Sequence, residues 1–216
     1  MRVVNAASYN EPRDAISHDW LKFLFSNNLN FTLIPNCGDN VEKFLSMNNI
    51  NFIILTNGND VNDVNNQDKL NNVSSIRDNT ENNIITWAIN NNKSILAVCR
   101  GFQLINMYYG GTINYNLGDT HIAKNHRIEI CDDISRSYFK KDSFLSNSYH
   151  NNGVKNENLA DNLIPFAMTE DKFVEGFYVR DKQILAIQWH PERKLKNHTF
   201  YNLMAVNFIN KGPWWL

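Results

Sequence analysis

Three residues that could together carry out acyl transfer occur at two distant places in the chain. Cys99 follows the apolar run 95–98, and His190 and Glu192 flank Pro191 after a second apolar run. A thiol can attack a carbonyl group, and an imidazole can take its proton and later protonate the leaving amine. A carboxylate can hold that imidazole in the required tautomer. The residue types therefore predict a catalytic set of Cys99, His190 and Glu192, provided that the fold brings them together.

The sequence around Cys99 predicts a buried strand, a sharp turn and then a helix. After the cysteine, apolar residues recur at helical spacing at Phe102, Ile105 and Tyr109. Gly110 and Gly111 then end the helical pattern. Gly101 permits a tight turn, and backbone N–H groups at a helix N-terminus favour a thiolate. Taken without its neighbours, a cysteine at this position would more often be an ordinary core residue at the end of a strand than a nucleophile. The flanking Arg100-Gly-x-Gln103 and the distant His-Pro-Glu favour a nucleophile elbow.

An acyl-transfer site also needs backbone N–H donors for the oxyanion of the tetrahedral intermediate. The amide of Arg100, at the start of the predicted helix, is one candidate. The loop at Asn57 and Gly58, which follows the apolar segment 52–55, is the other. Gly58 allows the close approach and the unusual backbone angles that such a donor requires. We therefore expect Asn57, Gly58 and Arg100 to line the substrate site.

Composition and charge exclude several classes of protein. A formal net charge of -1 gives no indication of a nucleic-acid partner. Three cysteines without paired spacing argue against a disulfide framework and against a cysteine-based zinc site: Cys37, Cys99 and Cys131. No apolar run approaches a membrane span, and no signal peptide is recognised at the N-terminus. The expectation is a cytoplasmic protein in a reducing environment with no membrane partner; a homodimer is left open.

Strand and helix patterns alternate through the first half of the chain, which predicts an α/β fold of a single domain, residues 1–216. The expected strands there are 2–7, 30–34, 52–55 and 95–98, with a loop at 10–14 and helices near 16–24, 39–47 and 76–91. An antiparallel section is expected at 126–130, 165–169 and 173–179, followed by a strand at 184–189 and a helix at 195–209. In parallel sheets, sites form beyond the carboxyl ends of the strands. The loops at Asn57, Cys99 and His190 all follow such ends.

Several of these motifs together resemble the class I glutamine amidotransferase superfamily, and within it the stand-alone gamma-glutamyl hydrolases. They are Cys99-Arg-Gly-x-Gln103, His190-Pro-Glu192, Leu55-Thr-Asn-Gly-Asn-Asp60, Arg77-Asp78-x-x-Glu81 and Asn147-Ser-Tyr-His150-Asn-Asn152. The resemblance implies a flavodoxin-like three-layer sandwich with a mainly parallel central sheet and a small antiparallel section. It implies hydrolysis of a gamma-glutamyl amide through a thioester, with no cofactor. It also implies that Gln103, Tyr149 and His150 help to hold the glutamyl end of the substrate.

Departures from the family pattern bear on the substrate. Ala97 replaces the usual elbow glycine, Asn57 replaces the first glycine of its loop, and Asn151-Asn152 replace the usual His-Gln. Asn adopts positive φ more readily than most residues, so the loop at Asn57 is expected to keep its conformation. The Asn151-Asn152 change favours a substrate other than the gamma-aminobutyrate conjugate.

The opening segment 8–14 resembles a branch found with bacterial surface-polysaccharide genes, in which a gamma-glutamyl-CDP-amidate is hydrolysed. Arg13 could bind a phosphate bidentately there, or it could be an ordinary surface arginine. The leading hypothesis is thus a nucleotide-linked gamma-glutamyl substrate. The alternatives are a small gamma-glutamyl amine, such as gamma-glutamyl-gamma-aminobutyrate, and a glutaminase subunit that delivers ammonia to a synthetase partner. A catalytically dead homologue is disfavoured because Cys99, His190 and Glu192 are all present.

Other residues with chemical potential carry less weight. His121, His126 and His150 lack a clear carboxylate or thiolate partner in the sequence, so no metal site is expected. Cys37 and Cys131 are expected to be inert. The Trp214-Trp215 pair could pack in the core or form an interface patch.

Overall fold

The computed structural model describes residues 1–118, 122–196 and 199–216. Its helices are α1 (His18–Ser26), α2 (Val41–Met47), α3 (Ser75–Asn90), α4 (Arg100–Tyr108), α5 (Asp133–Phe139) and α6 (Phe200–Lys211). Its strands are β1 (Arg2–Asn5), β2 (Pro12–Ala15), β3 (Phe52–Leu55), β4 (Ser94–Val98), β5 (Ile122–Ile130), β6 (Ser143–Tyr149), β7 (Val154–Lys155), β8 (Leu163–Met168), β9 (Phe173–Val179) and β10 (Ile184–Ile187). Within the described residues, no helix is long and apolar enough to cross a membrane.

The main sheet is mixed rather than mainly parallel. Its strand order is β3-β4-β10-β9-β8-β5-β6, and β7 pairs with β9. Among the described strands of this sheet, β3, β4 and β10 alone run parallel to one another; the other pairings are antiparallel. Parallel strands need long crossover connections, whereas antiparallel strands can follow one another through short ones. The short connections between β8, β9 and β10 therefore extend the antiparallel section to most of the sheet.

The N-terminal segment differs from the sequence prediction. β1, predicted as the first strand of the main sheet, instead forms a separate two-stranded sheet with β2, in which Val4 lies opposite Arg13. The predicted loop at 10–14 thus contains β2, and the predicted strand at 30–34 is absent, since that segment has no strand pairing. Period-2 patterns show that a segment can be a strand but do not specify its partner. β3 consequently lies at the edge of the sheet.

Helices cover both faces of the sheet, which gives the three layers expected. Along β4 the side chains alternate: Ile95 and Ala97 pack in the cluster that includes α2, α3 and α4 residues. Leu96 and Val98 pack in the cluster that includes α1 and α6 residues. Because successive strand residues point to opposite faces, a strand buried on both sides is apolar throughout. β4 is therefore buried on both faces and carries Cys99 at its end.

The C-terminal tryptophans pack on the protein. The Trp215 ring stacks on Tyr178 with centroids 4.6 Å apart, and its Nε1 donates to the carbonyl of Val179 at 3.1 Å. Trp214 Nε1 donates to the Ser135 hydroxyl at 2.9 Å. Of the two roles considered for this pair, the structure supports packing. The preceding helix, α6, begins at Phe200 rather than near 195.

Candidate active site

Cys99 forms a strained turn between β4 and α4. Its φ is +54°, a value that non-glycine residues seldom adopt and that costs about 1–3 kcal/mol. Its amide donates to the Ile187 carbonyl of β10 at 2.9 Å, and its own carbonyl accepts from the Gln103 amide at 3.1 Å. Strand and helix thus fix the cysteine from both sides. This is the geometry of the predicted nucleophile elbow.

Gly101 lets α4 approach the end of β3. A Cβ at this position would lie 2.7 Å from the Leu55 carbonyl oxygen. Leu55 is opposite Ala97 in the parallel register, and Ile187 is opposite Val98. The carboxyl ends of β3, β4 and β10 therefore meet at one edge, as predicted from their order in the sequence.

His190 lies beyond the end of β10 and is almost completely buried, at 1% exposure. Its Nδ1 is 2.7 Å from Glu192 Oε1, which leaves Nε2 for Cys99. Burial alone would lower the pKa of His190. Interaction with a Cys99 thiolate and the contact with Glu192 outweigh burial and raise that pKa to about 9. The fold therefore places His190 against Glu192 and close enough to Cys99 for their charges to interact, which favours a protonated imidazole. That the three residues act as one catalytic set stays a prediction.

Asn147 fixes the loop that carries His190. Its side-chain amide donates to the carbonyls of His190 (2.9 Å) and Arg193 (3.0 Å), and its Oδ1 accepts from the His190 amide at 2.9 Å. Tyr149, also predicted as a site residue, lies edge-on to the His190 ring with centroids 5.7 Å apart. The Arg193 guanidinium lies 4.3 Å from the centroid of the Tyr149 ring. Sequence reasoning identified Asn147 only as part of a family motif and missed this anchoring contact.

The loop at Asn57 and Gly58 is held by two side chains that sequence reasoning missed. Trp20 Nε1 donates to Asn57 Oδ1 at 3.0 Å. Arg77 donates from one guanidinium nitrogen to the carbonyls of Thr56 (2.7 Å) and Asn57 (3.1 Å). Because Arg77 holds both carbonyls by hydrogen bonds, the loop is fixed beside the elbow. Gly58 has φ +136°.

Arg77 belongs to a buried four-charge cluster beneath the elbow. Its Nε is 2.7 Å from Glu81 Oε1, and the Arg100 guanidinium pairs with both Asp78 and Glu81. Burial tends to raise the pKa of Glu81, but the Arg100 and Arg77 charges lower it. The Arg77–Glu81 pair expected along a helix is therefore fully buried. The Arg100 side chain points into this cluster, so only its backbone amide is available to a substrate.

Gln103 and His150 both contact the loop that follows β6. Gln103 Nε2 donates to the Asn152 carbonyl at 2.8 Å, and it lies 3.3 Å from Gln188 Oε1. His150 Nδ1 is 3.1 Å from the same Asn152 carbonyl. Both side chains are buried, at 5% and 4% exposure. They fix the loop at Asn151 and Asn152, and their contact with a substrate remains a prediction.

The structure gives two of the histidines a carboxylate partner that the sequence did not reveal. Glu175 Oε2 is 3.6 Å from His126 Nε2, and Oε1 is 3.3 Å from His150 Nε2. The premise that these histidines lack a carboxylate was therefore wrong. A lone acidic residue in the otherwise apolar strand β9 was the available signal. His121 lies outside the described residues.

Arg13 lies on the exposed β1–β2 hairpin. Its Nε pairs with Glu11 at 2.6 Å, and its guanidinium donates to the Tyr9 hydroxyl at 2.9 Å. The hairpin is joined to the site through Asn59, which exchanges hydrogen bonds with the backbone of Val3 at 2.9 and 3.0 Å. The structure thus places the hairpin of Arg13 next to the loop at Asn57 and Gly58, without a described contact between Arg13 and Cys99 or His190.

Comparison with known proteins agrees with this architecture. The family model for peptidase C26 matches residues 5–192. The chain is 30% identical over 195 residues to the gamma-glutamyl-CDP-amidate hydrolase of Campylobacter jejuni, covering 89% of this chain and 88% of that protein. It is 32% identical over 154 residues to a glutamine amidotransferase-like protein of Lactococcus lactis. That match covers 66% of this chain and 64% of the relative, so the chain spans less than two thirds of that protein's length.

Two solved structures share the fold at low sequence identity. The glutaminase domain of Trypanosoma brucei CTPS, with bound acivicin, superposes with a TM-score of 0.64 at 14% identity, over 91% of this chain and 89% of that one. A glutamine amidotransferase from Thermotoga maritima gives a TM-score of 0.59 at 13% identity, over 87% and 75% of the two chains. At these identities the likeness concerns the fold alone.

Proposed function

Because the chain belongs to the peptidase C26 family of glutamine amidotransferase-like hydrolases, we propose that it hydrolyses a gamma-glutamyl amide with Cys99 as the nucleophile. The observation that carries this proposal is the elbow at Cys99 beside an imidazole that Glu192 holds at 2.7 Å. A thiolate beside an imidazolium is the activated form of a cysteine nucleophile. A reducing compartment, as in the cytoplasm, would keep this sulfur reactive.

The proposed reaction has two halves. Cys99 Sγ adds to the gamma-carbonyl carbon, and the oxyanion accepts hydrogen bonds from the Arg100 amide and an amide of the loop at Asn57 and Gly58. The C–N bond then breaks, and His190 Nε2 gives its proton to the leaving amine, which leaves a thioester. His190 next removes a proton from water, whose oxygen attacks the thioester. Glutamate leaves, and the Cys99 sulfur and the His190 proton are restored.

Glu192 and the loops position these groups rather than react. Glu192 accepts the Nδ1 proton of His190, so Nε2 is the nitrogen that exchanges protons. Asn147 fixes the loop of His190, and Gln103 fixes the loop at Asn152. We place the glutamyl end of the substrate beside Gln103, Tyr149 and the His150 loop. The leaving group then extends toward the β1–β2 hairpin.

For the leaving group we propose a nucleotide joined through a phosphoramidate, as in a gamma-glutamyl-CDP-amidate. The support is the Campylobacter jejuni relative, which the chain matches over 89% of its length, together with Arg13. The Arg13–Glu11 pair is exposed, and exposed pairs contribute only about 0–1 kcal/mol. A phosphate could therefore take the guanidinium from Glu11 at little cost. Such a substrate would place the reaction in the synthesis of a surface polysaccharide.

The test compares three substrates with the purified chain: a gamma-glutamyl-CDP-amidate, gamma-glutamyl-gamma-aminobutyrate and free glutamine. We expect the nucleotide conjugate to be hydrolysed with the highest kcat/KM. Cys99→Ala should reduce turnover at least about a thousandfold, while the matched control Cys131→Ala should keep wild-type turnover. Substantial activity in Cys99→Ala would refute the mechanism. Faster hydrolysis of the gamma-aminobutyrate conjugate would instead favour the small-amine substrate, and a preference for glutamine would favour an ammonia-supplying glutaminase.

Arg13→Ala tests the leaving-group assignment separately. Loss of a charge-assisted contact of about 1.5–3 kcal/mol should raise KM for the nucleotide conjugate roughly tenfold to a hundredfold. Hydrolysis of a small uncharged gamma-glutamyl amide should be nearly unchanged. Arg136→Ala is a matched control, because Arg136 is also a partly exposed arginine paired with a nearby acidic residue, Asp133. An equal loss on both substrates would make Arg13 a structural residue.

A further inference from the structure

A β-bulge places a carboxylate inside the protein. In the β8–β9 ladder, Ala167 is opposite Gly176 and Met168 is opposite Val174. Glu175 is therefore the extra residue of β9 with no partner on β8. Bulges of this kind re-aim a side chain. The side chain of Glu175 is fully buried, at 0% exposure.

Two histidines from neighbouring elements face this carboxylate. His126 comes from β5, and His150 immediately follows β6. Their Nε2 atoms lie 3.6 and 3.3 Å from the two oxygens of Glu175, and the three ligand atoms lie within 4.8 Å of one another. Neither contact has the geometry of a hydrogen bond at the carboxylate oxygens. A buried carboxylate needs positive charge beside it, which protonated histidines or a bound metal ion can supply.

The contact on the other side of His150 determines which ring nitrogen faces Glu175. Nδ1 lies 3.1 Å from the Asn152 carbonyl. A carbonyl can only accept, so Nδ1 carries a proton, and Nε2 is the nitrogen with the lone pair whenever the ring is in its neutral tautomer. A histidine that binds a metal is characteristically held in this way, by a backbone carbonyl at its other nitrogen.

The distances match the spacing of ligands around zinc. Zn–N and Zn–O bonds of about 2.0–2.2 Å at tetrahedral angles separate neighbouring ligand atoms by about 3.3–3.6 Å. The two N···O distances, 3.3 Å to Oε1 and 3.6 Å to Oε2, fall in this range, and both nitrogens and a single carboxylate oxygen lie within 4.8 Å of one another. Two histidines and one glutamate are also a zinc ligand set with a fourth position for water. We propose that His126, His150 and Glu175 bind a single Zn²⁺ ion.

The ion would take no part in the bond-breaking steps at Cys99. The ion would join β5, β9 and the end of β6, and through Asn152 it would fix the loop that Gln103 also contacts. The Glu175 carbonyl accepts from the Gln188 amide at 2.8 Å, so the site adjoins the segment leading to His190. The ion thus would stabilise the frame of the candidate active site.

The test is zinc binding by the chelator-treated full chain in a Cys99→Ala background, which removes the thiol at the elbow. Isothermal titration calorimetry with ZnCl₂ should show that each chain binds one zinc ion. Zinc at a hundred times its Kd should raise Tm by roughly 5–10 °C. Cobalt(II) in place of zinc should give the absorption of a tetrahedral site without thiolate charge transfer.

Glu175→Gln should weaken binding at least about a hundredfold, whereas Glu129→Gln, on an exposed position of β5, should bind as the parent does. Because Glu175 is buried, His126→Gln provides a second variant at a less buried ligand, and it should show the same loss. Absence of zinc binding by the parent, or equal binding by both ligand variants, would overturn the proposal. In that case a protonated histidine pair would be the source of positive charge at Glu175.

Discussion

Replacing Gly101 by alanine should impair catalysis more than it impairs stability. The new Cβ would lie 2.7 Å from the Leu55 carbonyl oxygen and 2.8 Å from Leu55 Cβ, whereas ordinary contacts begin at 3.4 Å. The difference, 3.4 minus 2.7, requires α4 and β3 to separate by about 0.7 Å. Neither neighbour can yield by rotating a flexible side chain, because the closest atom belongs to the backbone.

The free-energy terms for stability nearly offset each other. Alanine in place of glycine within a helix gains about 1 kcal/mol, and overpacking of this kind costs about 1–3 kcal/mol. The net loss is then about 0–2 kcal/mol, or a fall in Tm of roughly 0–8 °C. Catalysis is more sensitive, because a misplacement of about 1 Å at a reacting group can reduce the rate about a hundredfold. We expect kcat to fall roughly tenfold to a hundredfold.

The control is Gly110→Ala at the other end of α4. Gly110 has φ +95° and no atom within 4 Å of the added Cβ. The positive φ costs about 1–2 kcal/mol, a loss of stability similar to that of Gly101→Ala, but the elbow stays in place. Thermal unfolding and steady-state hydrolysis should therefore separate the two variants by activity and not by Tm. A folded Gly101→Ala protein with wild-type kcat would refute the assignment of Gly101 as the contact that positions the elbow.

Three further predictions concern the groups around Cys99. His190→Asn should be as inactive as Cys99→Ala, while Glu192→Gln should be impaired less. The reason is that His190 transfers the proton, whereas Glu192 only orients the imidazole ring of His190. A lower kcat for Glu192→Gln than for His190→Asn would contradict these roles. The pKa of His190, about 9 in the folded chain, exceeds the unfolded value of about 6.5, so its stabilisation is complete below about pH 6.5 and is lost as the pH rises through about 9. Tm should therefore fall over this window more steeply in the wild type than in Cys99→Ala, and parallel Tm profiles would exclude the thiolate as the cause. Arg77→Lys keeps the charge but loses the fork that binds the carbonyl of Thr56, so kcat should fall roughly tenfold to a hundredfold with little change in KM; an unchanged kcat would mean that this loop does not supply an oxyanion donor.

Local sequence patterns predicted the elements that carry the site. β3 and β9 have the predicted bounds, 52–55 and 173–179. The helix after Cys99 begins where the glycine and the apolar spacing indicated. These features depend on residues within one turn or one strand of each other, so their signal is present in a short window. The grouping of the loops at Asn57, Cys99 and His190 followed from parallel strand order alone.

The features that escaped prediction depend on contacts between distant segments. β1 has the composition of a core strand, but it pairs with β2 in a separate sheet and not with a strand of the main sheet. Arg77 and Glu81 have the spacing of a surface pair, and nothing local to α3 shows that Arg100 will complete their cluster. Trp20 lies on a helix face that predicts core packing, and its hydrogen bond to Asn57 requires knowledge of the tertiary fold. Partner choice and burial of charge are properties of the assembled chain.

The four-charge cluster beneath the elbow also constrains how the sequence can evolve. Arg77 and Arg100 balance Asp78 and Glu81, and all four side chains are largely or fully buried. Loss of one member leaves a buried charge without its counterpart, which costs about 3–5 kcal/mol, a large share of the 5–15 kcal/mol that separates a typical native protein from its unfolded state. Simultaneous replacement of a cation and an anion by apolar residues avoids that penalty. Substitutions at these positions should therefore be strongly epistatic, and the cluster should be inherited or lost in oppositely charged pairs.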